Sequence, residues 1–231
     1  ALYELGGVWN TERANVDRSL THFVSGKSLG GGIAWLGTLC VANAGNMNIG
    51  DRCPGLAASG PYVGHYGVSA GITGSFNVDN PGVVWDLVVI AHEIGHNFNS
   101  PHTHCYIGVE NNPNPVDTCY TEADDACHSG TRSLPGPQGQ GSGTLMSYCH
   151  LLSGGLSNIS ATFGTGHAFG DAPERVPNRM RNTVLQRAQQ YPACLAPQTG
   201  IRLSANPARQ QACSAQGFAL TPVVVQVESF G

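Results

Sequence analysis

The stretch HEIGHNFNSPH occupies residues 92–102 and decides how the rest of this sequence is interpreted. His92 and His96 stand four residues apart, so on a helix both imidazoles project from one face and can reach one metal ion. Glu93 sits one position round the helix, close enough to contact a water on that metal without being a ligand. A turn after the helix would bring back His102 as a third nitrogen ligand. Three histidines with an open fourth position are typical of catalytic rather than structural zinc.

The strongest support for a metal site is the third histidine, His102, at its spacing after the pentapeptide HExxH. A bare HExxH also fits a helix that has two structural histidines and no metal. Requiring His102 as well makes coincidence a poor explanation, because the four fixed positions should occur in only about 4 of 10,000 chains of this composition. Asn99 lies where the chain must turn, and Asn tolerates a left-handed backbone better than most residues.

A second motif, TLMSY, occupies residues 144–148, after a Gly-rich loop. Taken alone, it is explained by a buried Met146 and a hydrogen-bonded Tyr148. Downstream of three histidines it is typical of a Met-turn, a hydrophobic floor beneath a metal site.

Two helices are predicted from apolar residues that recur every three or four positions. The first has Asn80 as its N-cap and Pro81 as its first residue, and it runs to about Phe98. Pro101 prevents it from going much further. The second is predicted near Val176–Gln190.

The other segments are expected to be strands or loops. Strands are predicted at Leu2–Leu5 and Ile33–Leu39, the latter after a run of three glycines. Residues 101–148 are expected to be irregular, because they are rich in turn-forming residues, and to be stapled by disulfides of Cys105, Cys119, Cys127 and Cys149. The predicted class is therefore α+β: short strands and a motif-bearing helix, followed by an irregular, disulfide-stapled segment and a final helix.

Composition excludes several classes of protein. Gly 31 and Pro 14 among 231 residues are too many turn formers for a packed helical bundle. The net charge of −4 gives no basic footprint for nucleic acid or for an anionic membrane. The longest apolar stretch, Val83–Ala91, is far too short to span a membrane.

The eight cysteines indicate the compartment. An even count without a CxxC pair favours disulfides, which form outside the cytosol, so a secreted protein is predicted. The pairing stays open at this point; a bond from Cys40 or Cys53 to Cys194 would tie the two halves of the chain together. A signal and a pro-segment are expected to lie outside this sequence.

With both motifs in place, the sequence resembles the metzincin zinc endopeptidases, and within them the reprolysin (adamalysin) group in a bacterial-type variant, HExxHxxNxxH. The resemblance covers roughly residues 2–195. Many members have Gly where Asn99 stands, and reprolysin-like domains usually open with a strand and a long helix that nothing before Leu2 can supply. The resemblance implies that residues 1–197 are a metzincin catalytic domain without its first strand and helix, and residues 198–231 the start of a truncated β-sandwich. It also implies a twisted mixed sheet and an active-site helix above the irregular, disulfide-stapled subdomain.

The resemblance implies a mechanism. One Zn²⁺ would be held by His92, His96 and His102, with Glu93 as general base. An oxyanion would develop at the scissile carbonyl during hydrolysis, and a nearby phenol could stabilise it. Tyr148 is the candidate, either facing the metal or as a fifth ligand. The residues of structural support would be Gly95, Asn99 and Met146. A protein or peptide substrate would lie extended along the edge strand near Ile33–Leu36 and be cleaved internally.

Other interpretations are weighed against this one. The main alternative is an inactive metzincin scaffold that serves as a binding or adhesion module; a zinc hydrolase of non-peptide substrates is a third. Calcium is not indicated, because Asp117, Asp124 and Asp125 lack the DxDxDG spacing and are expected to be solvated loop acids. Loop hydrogen bonds are favoured for His104 and His150, and structural or surface roles for His22, His65, His128 and His167.

Overall fold

The computed structural model describes residues 1–75 and 83–195, together with four short strand segments between residues 205 and 225. The chain opens with helix α1 (Leu2–Thr11), so the predicted strand at Leu2–Leu5 is wrong. Leu2 and Leu5 both lie on the helix face that packs in a cluster with the buried side chains of the main sheet. An apolar pair three residues apart fits a helix, and packing against the sheet decided between the two periodicities.

Five strands follow before the second helix: β1 (Thr21–Val24), β2 (Gly32–Ala34), β3 (Gly45–Asn48), β4 (Ser59–Val63) and β5 (Tyr66–Ser69). The main sheet has the order β1-β5-β2, in which β1 runs parallel to β5 and β2 runs antiparallel to it. Strands β3 and β4 form a separate antiparallel pair. Strand β2 is therefore an edge strand of the main sheet.

The predicted strand Ile33–Leu39 is correctly placed but too long. Strand β2 ends at Ala34, and Gly37 takes a left-handed conformation with φ of +68°. The amide of Gly37 donates to the carbonyl of His96 at 2.8 Å, and that of Leu39 donates to the carbonyl of Asn97 at 3.0 Å. The chain thus leaves the sheet in order to cover the end of the next helix, and Gly37 permits the bend.

Helix α2 (Trp85–Asn97) carries the first two motif histidines. It begins four residues later than predicted: Val84 is extended, with φ −116° and ψ 157°, and the predicted cap Asn80 and first residue Pro81 lie outside the described residues. Val83 and Val84 are β-branched, which disfavours a helical first turn. The predicted end near Phe98 is confirmed, because Phe98 is the C-cap.

Asp86 explains how the start of α2 is held. Its carboxylate accepts hydrogen bonds from the amides of Thr73 and Gly74, the latter at 2.7 Å. This buried residue therefore fastens the segment after β5 to the helix.

The segment after α2 is irregular, as predicted, and two disulfides staple it: Cys105–Cys127 and Cys119–Cys149. A third disulfide, Cys40–Cys194, is one of the two pairings considered for joining the halves of the chain. The predicted second helix is confirmed as α3 (Arg175–Gln190). The fold class is α+β, as predicted.

The last strands form two small antiparallel pairs. Strand β6 (Ala205–Pro207) pairs with β9 (Val223–Val225), and β7 (Gln210–Gln211) pairs with β8 (Ala219–Leu220). The boundary between residues 197 and 198 stays a prediction. Among the described residues, no helix is long and apolar enough to cross a membrane.

Candidate metal centre

Three histidine rings converge at the end of α2. The ring centroids of His92 and His96 lie 4.7 Å apart. The ring centroid of His102 lies 5.2 Å from that of His92 and 4.8 Å from that of His96. One ligand nitrogen from each ring falls within 4.8 Å of the other two, a spacing that could hold a metal ion. The tertiary structure therefore brings the three histidines of the motif together.

In two of these rings, those of His92 and His96, the Nδ1 atom already has a hydrogen-bond partner. Nδ1 of His92 lies 2.8 Å from the carbonyl of Leu145, and Nδ1 of His96 lies 2.7 Å from the carbonyl of Ser100. A carbonyl only accepts hydrogen bonds, so each Nδ1 must carry the proton and donate it. A neutral ring then has its lone pair on Nε2, the tautomer that a metal ligand needs. The donor set fits a metal such as zinc.

Burial keeps these rings neutral. It lowers the pKa of His102 to about 3, and it holds the pKa of His92 well below and that of His96 below the usual value. Smaller effects come from the neighbouring imidazoles, which repel one another when protonated. Neutral imidazole is the form that binds metals, so the site is prepared for a cation.

Glu93 places a carboxylate beside the histidines. Its side chain is only 5% exposed, and Oε2 has no hydrogen-bond partner among the described residues. Burial raises the pKa of Glu93 to about 8. Below that pH the metal-free side chain keeps its proton, and a cation beside it would favour the ionised form. A pKa displaced this far by burial, in a cleft beside histidines, indicates a functional residue rather than a stabilising one.

Gly32 permits that position of Glu93. A Cβ on Gly32 would lie 2.3 Å from Oε1 and 2.4 Å from Cγ of Glu93, which is far inside contact distance. The glycine run at residues 30–32 was predicted only to precede a strand, and no part in the site was predicted for Gly32. The run itself was the only signal, since a close approach between β2 and α2 is not visible in the sequence.

The turn that returns His102 is built on Asn99, whose φ is +73°. The amide of Asn99 donates to the carbonyl of His96 at 2.8 Å, and that of Ser100 donates to the carbonyl of Gly95 at 3.1 Å. Arg179 of α3 donates to the backbone and side-chain oxygens of Asn99. Helix α3 thus holds the turn from outside.

We expect Asn99→Ala to destabilise the fold by about 1 kcal/mol, because Ala tolerates the left-handed region less well than Asn. That loss should lower the midpoint of thermal unfolding by about 2–4 °C for a domain of this size. Asn99→Gly is the matched control: it also removes the side-chain contact with Arg179 but accepts the positive φ. A shift equal in both variants would contradict the backbone explanation.

Met146 is fully buried, and its side chain lies against Gly95 of α2. A Cβ on Gly95 would lie 2.3 Å from its sulfur, so α2 approaches Met146 as closely as a glycine allows. The carbonyl of Met146 accepts a hydrogen bond from the amide of Thr103 at 3.1 Å, next to the third histidine. The segment around Met146 therefore contacts both parts of the histidine motif.

Tyr148 lies against the same rings. Its ring is stacked on His92 at a centroid distance of 5.7 Å and lies 4.2 Å from that of His102. Burial raises the pKa of Tyr148 to about 12, so the phenol keeps its proton and can act as a hydrogen-bond donor.

A cleft of about 590 Å³ opens over the site. Glu93, His96, His102 and Tyr148 line its base, β2 and Leu36 line one wall, and residues 105–109 and 122–127 contribute to the other. Ile33 and Leu36 are about half exposed on the β2 side, with 52% and 49% of their surface accessible. The cleft is therefore bordered by an edge strand, next to the three histidines.

A family model described as Metallo-peptidase family M12 matches residues 8–160, more than half of the chain and the whole of both motifs. The chain belongs to metallopeptidase family M12. Searches of curated proteins and of solved structures returned no match. The family assignment supports a metzincin-like metallopeptidase and implies zinc, while the HExxHxxNxxH bacterial-type variant stays a prediction.

Two predictions about polar residues around the M12 site need correction or refinement. Asp117 is not a solvated acid: it is 4% exposed, and it accepts a hydrogen bond from the amide of Cys119 at 3.0 Å. Asp124 and Asp125 are exposed, as expected. His104 makes a hydrogen bond, as favoured, and its partner is the side chain of Glu122, for which no role was predicted.

Proposed function

We propose that this M12 family member is a secreted zinc-dependent endopeptidase that hydrolyses internal peptide bonds. The observation that carries the proposal is the buried Glu93, whose Oε2 has no hydrogen-bond partner among the described residues. It lies beside three histidines that could hold a metal ion, in a cleft bordered by an edge strand. This combination provides a metal site, a base and a place for an extended chain, which are the three requirements of metal-assisted peptide hydrolysis.

The metal would be one Zn²⁺ held by His92, His96 and His102. When bound, zinc lowers the pKa of a coordinated water and polarises a carbonyl. The hydrogen bonds from Nδ1 of His92 and His96 to backbone carbonyls hold two of the rings in orientation, so the ligand set is organised before the metal arrives.

Glu93 is the proposed general base. Its carboxylate takes the proton of the attacking water and afterwards delivers it to the leaving amine. The absence of a hydrogen-bond partner at Oε2 among the described residues is consistent with this role, because a donor bound there would occupy the lone pair that must take the proton.

Tyr148 is the proposed oxyanion donor. Its phenol stays protonated up to high pH and lies at the base of the cleft, next to the rings of His92 and His102. A hydrogen bond from the phenol to the developing oxyanion would stabilise the tetrahedral transition state. Gly95, Asn99 and Met146 are the proposed supports of the histidine geometry.

The substrate is proposed to bind as an extended peptide along β2. Within the main sheet, the described ladder pairs β2 with β5 on one side only. A peptide on the other side would add a strand to the sheet, with its backbone paired and its carbonyl near the histidines. Secretion is proposed from the three disulfides of the described residues, which persist in oxidising compartments.

The test is metal analysis of the purified chain together with hydrolysis of a denatured protein, with and without phenanthroline. We expect one zinc per chain and cleavage that the chelator abolishes and added zinc restores. Zinc without cleavage would contradict the enzyme and favour the binding or adhesion module. Ester hydrolysis without proteolysis would favour a non-peptide hydrolase, and no zinc would overturn the metal site.

A further inference from the structure

Glu122 lies between two histidines at the edge of the metal centre. Its Oε1 is 3.4 Å from Nδ1 of His102 and 2.9 Å from Nε2 of His104. A carboxylate oxygen only accepts, so Nε2 of His104 donates to it, whereas Nδ1 of His102 lies close to it without forming a hydrogen bond. One oxygen is thus close to two imidazoles, of which only His102 belongs to the proposed ligand set.

The outer partner of His102 differs in kind from those of the other two histidines. His92 and His96 face the neutral backbone carbonyls of Leu145 and Ser100. His102 faces a carboxylate. A negative charge 3.4 Å from Nδ1 favours the proton on that nitrogen, which leaves the lone pair on Nε2 for a metal.

The carboxylate of Glu122 is held in place by His104 and by the loop that bears Glu122. His104 is fully buried, and its ring stacks on that of His102 at 5.3 Å, with the planes inclined by 11°. The backbone of His128 donates to the carbonyl of His104 at 2.7 Å, and the amide of Glu122 donates to the carbonyl of His128 at 3.2 Å. The Cys105–Cys127 disulfide closes the same loop. The loop that bears Glu122 is therefore tied to the segment that bears His104.

We propose that Glu122 is a positioning residue for His102: supported by His104, its carboxylate orients the third ligand ring and strengthens metal binding there. The proposal rests on the proposed zinc site. It explains why the buried His104 donates a hydrogen bond from Nε2 to Glu122, whose side chain is 40% exposed.

The test compares Glu122→Gln, Glu122→Asp and the unmodified chain in competition with a chelator for zinc. Gln keeps the shape but removes the charge, and we expect a 10–100-fold loss of zinc affinity, the usual effect of removing such an outer partner. Asp keeps the charge on a side chain shorter by one methylene and should recover part of the loss. The absorption spectrum of the Co²⁺-loaded protein should also change in Glu122→Gln.

Asp124→Asn is the matched control. It removes the same charge from the same wall of the cleft, but Asp124 is outside the contacts with His102 and His104 and accepts instead from the amide of Ala126 at 2.8 Å. We expect zinc affinity close to that of the unmodified chain. The melting temperatures of the metal-free proteins should agree across all variants, which separates metal binding from folding.

Several results would overturn the proposal. Zinc affinity unchanged in Glu122→Gln, or lowered equally in Asp124→Asn, would remove the positioning role. A raised KM with unchanged zinc affinity would make Glu122 a substrate contact instead. A second zinc that is lost in Glu122→Gln would make it a direct ligand. If the unmodified chain binds no zinc, the proposed function fails together with this inference, whereas the other results leave the proposed function standing.

Discussion

Replacing Glu93 with Gln is expected to lower kcat for peptide hydrolysis by about 10²–10⁴-fold, the usual contribution of a positioned general base. Gln has nearly the same shape but cannot take a proton from water. Because Glu93 is buried and is not one of the three nitrogen ligands, zinc should stay bound in the variant. The measurement is steady-state kinetics on a peptide substrate, together with zinc analysis of the same preparation.

The control for this substitution is Glu12→Gln, which makes the same chemical change at an exposed residue next to the end of α1. It should leave both kcat and zinc content unchanged. Full activity in Glu93→Gln would show that the base lies elsewhere. Loss of zinc together with activity would show that Glu93 supports the metal site rather than the proton transfer, and no change in any function would favour the inactive scaffold.

Gly32→Ala is expected to lower kcat by about 100-fold without a loss of zinc, because displacement of a catalytic group by about 1 Å can have that effect. The added Cβ would lie 2.3 Å from Oε1 of Glu93, so the carboxylate must move away from its position beside the histidines. Gly32 has no positive φ and pairs with Ser69 in the sheet, so Ala fits the backbone. Kinetics and zinc analysis measure the two effects separately.

Gly7→Ala is the comparison for this variant. It adds the same methyl group on α1, where the nearest atom is on the ring of Tyr62 at 3.2 Å. We expect unchanged kcat. If Gly32→Ala also keeps its kcat, the close approach of β2 does not position Glu93. If it raises KM alone, the methyl group obstructs the substrate rather than the base.

Several elements were accessible from the sequence because they depend on local periodicity and local chemistry. The helix that carries His92 and His96 and the helix Arg175–Gln190 both show apolar repeats of three and four residues, and both are present. The irregular, disulfide-rich segment followed from its turn-forming residues and cysteines. The errors came where two periodicities compete over a few residues, as at Leu2–Leu5, where burial against the sheet decided for a helix.

The candidate site residues on α2 and their register could be predicted from the sequence alone: two histidines four residues apart, with a glutamate next to the first of them. These depend on the 3.6-residue repeat alone. The tertiary structure decided what surrounds them. It placed Gly32 against Glu93, Met146 beneath Gly95, and Glu122 between His102 and His104. Those contacts join residues far apart in the chain, and only packing, disulfide closure and the exclusion of water determine them.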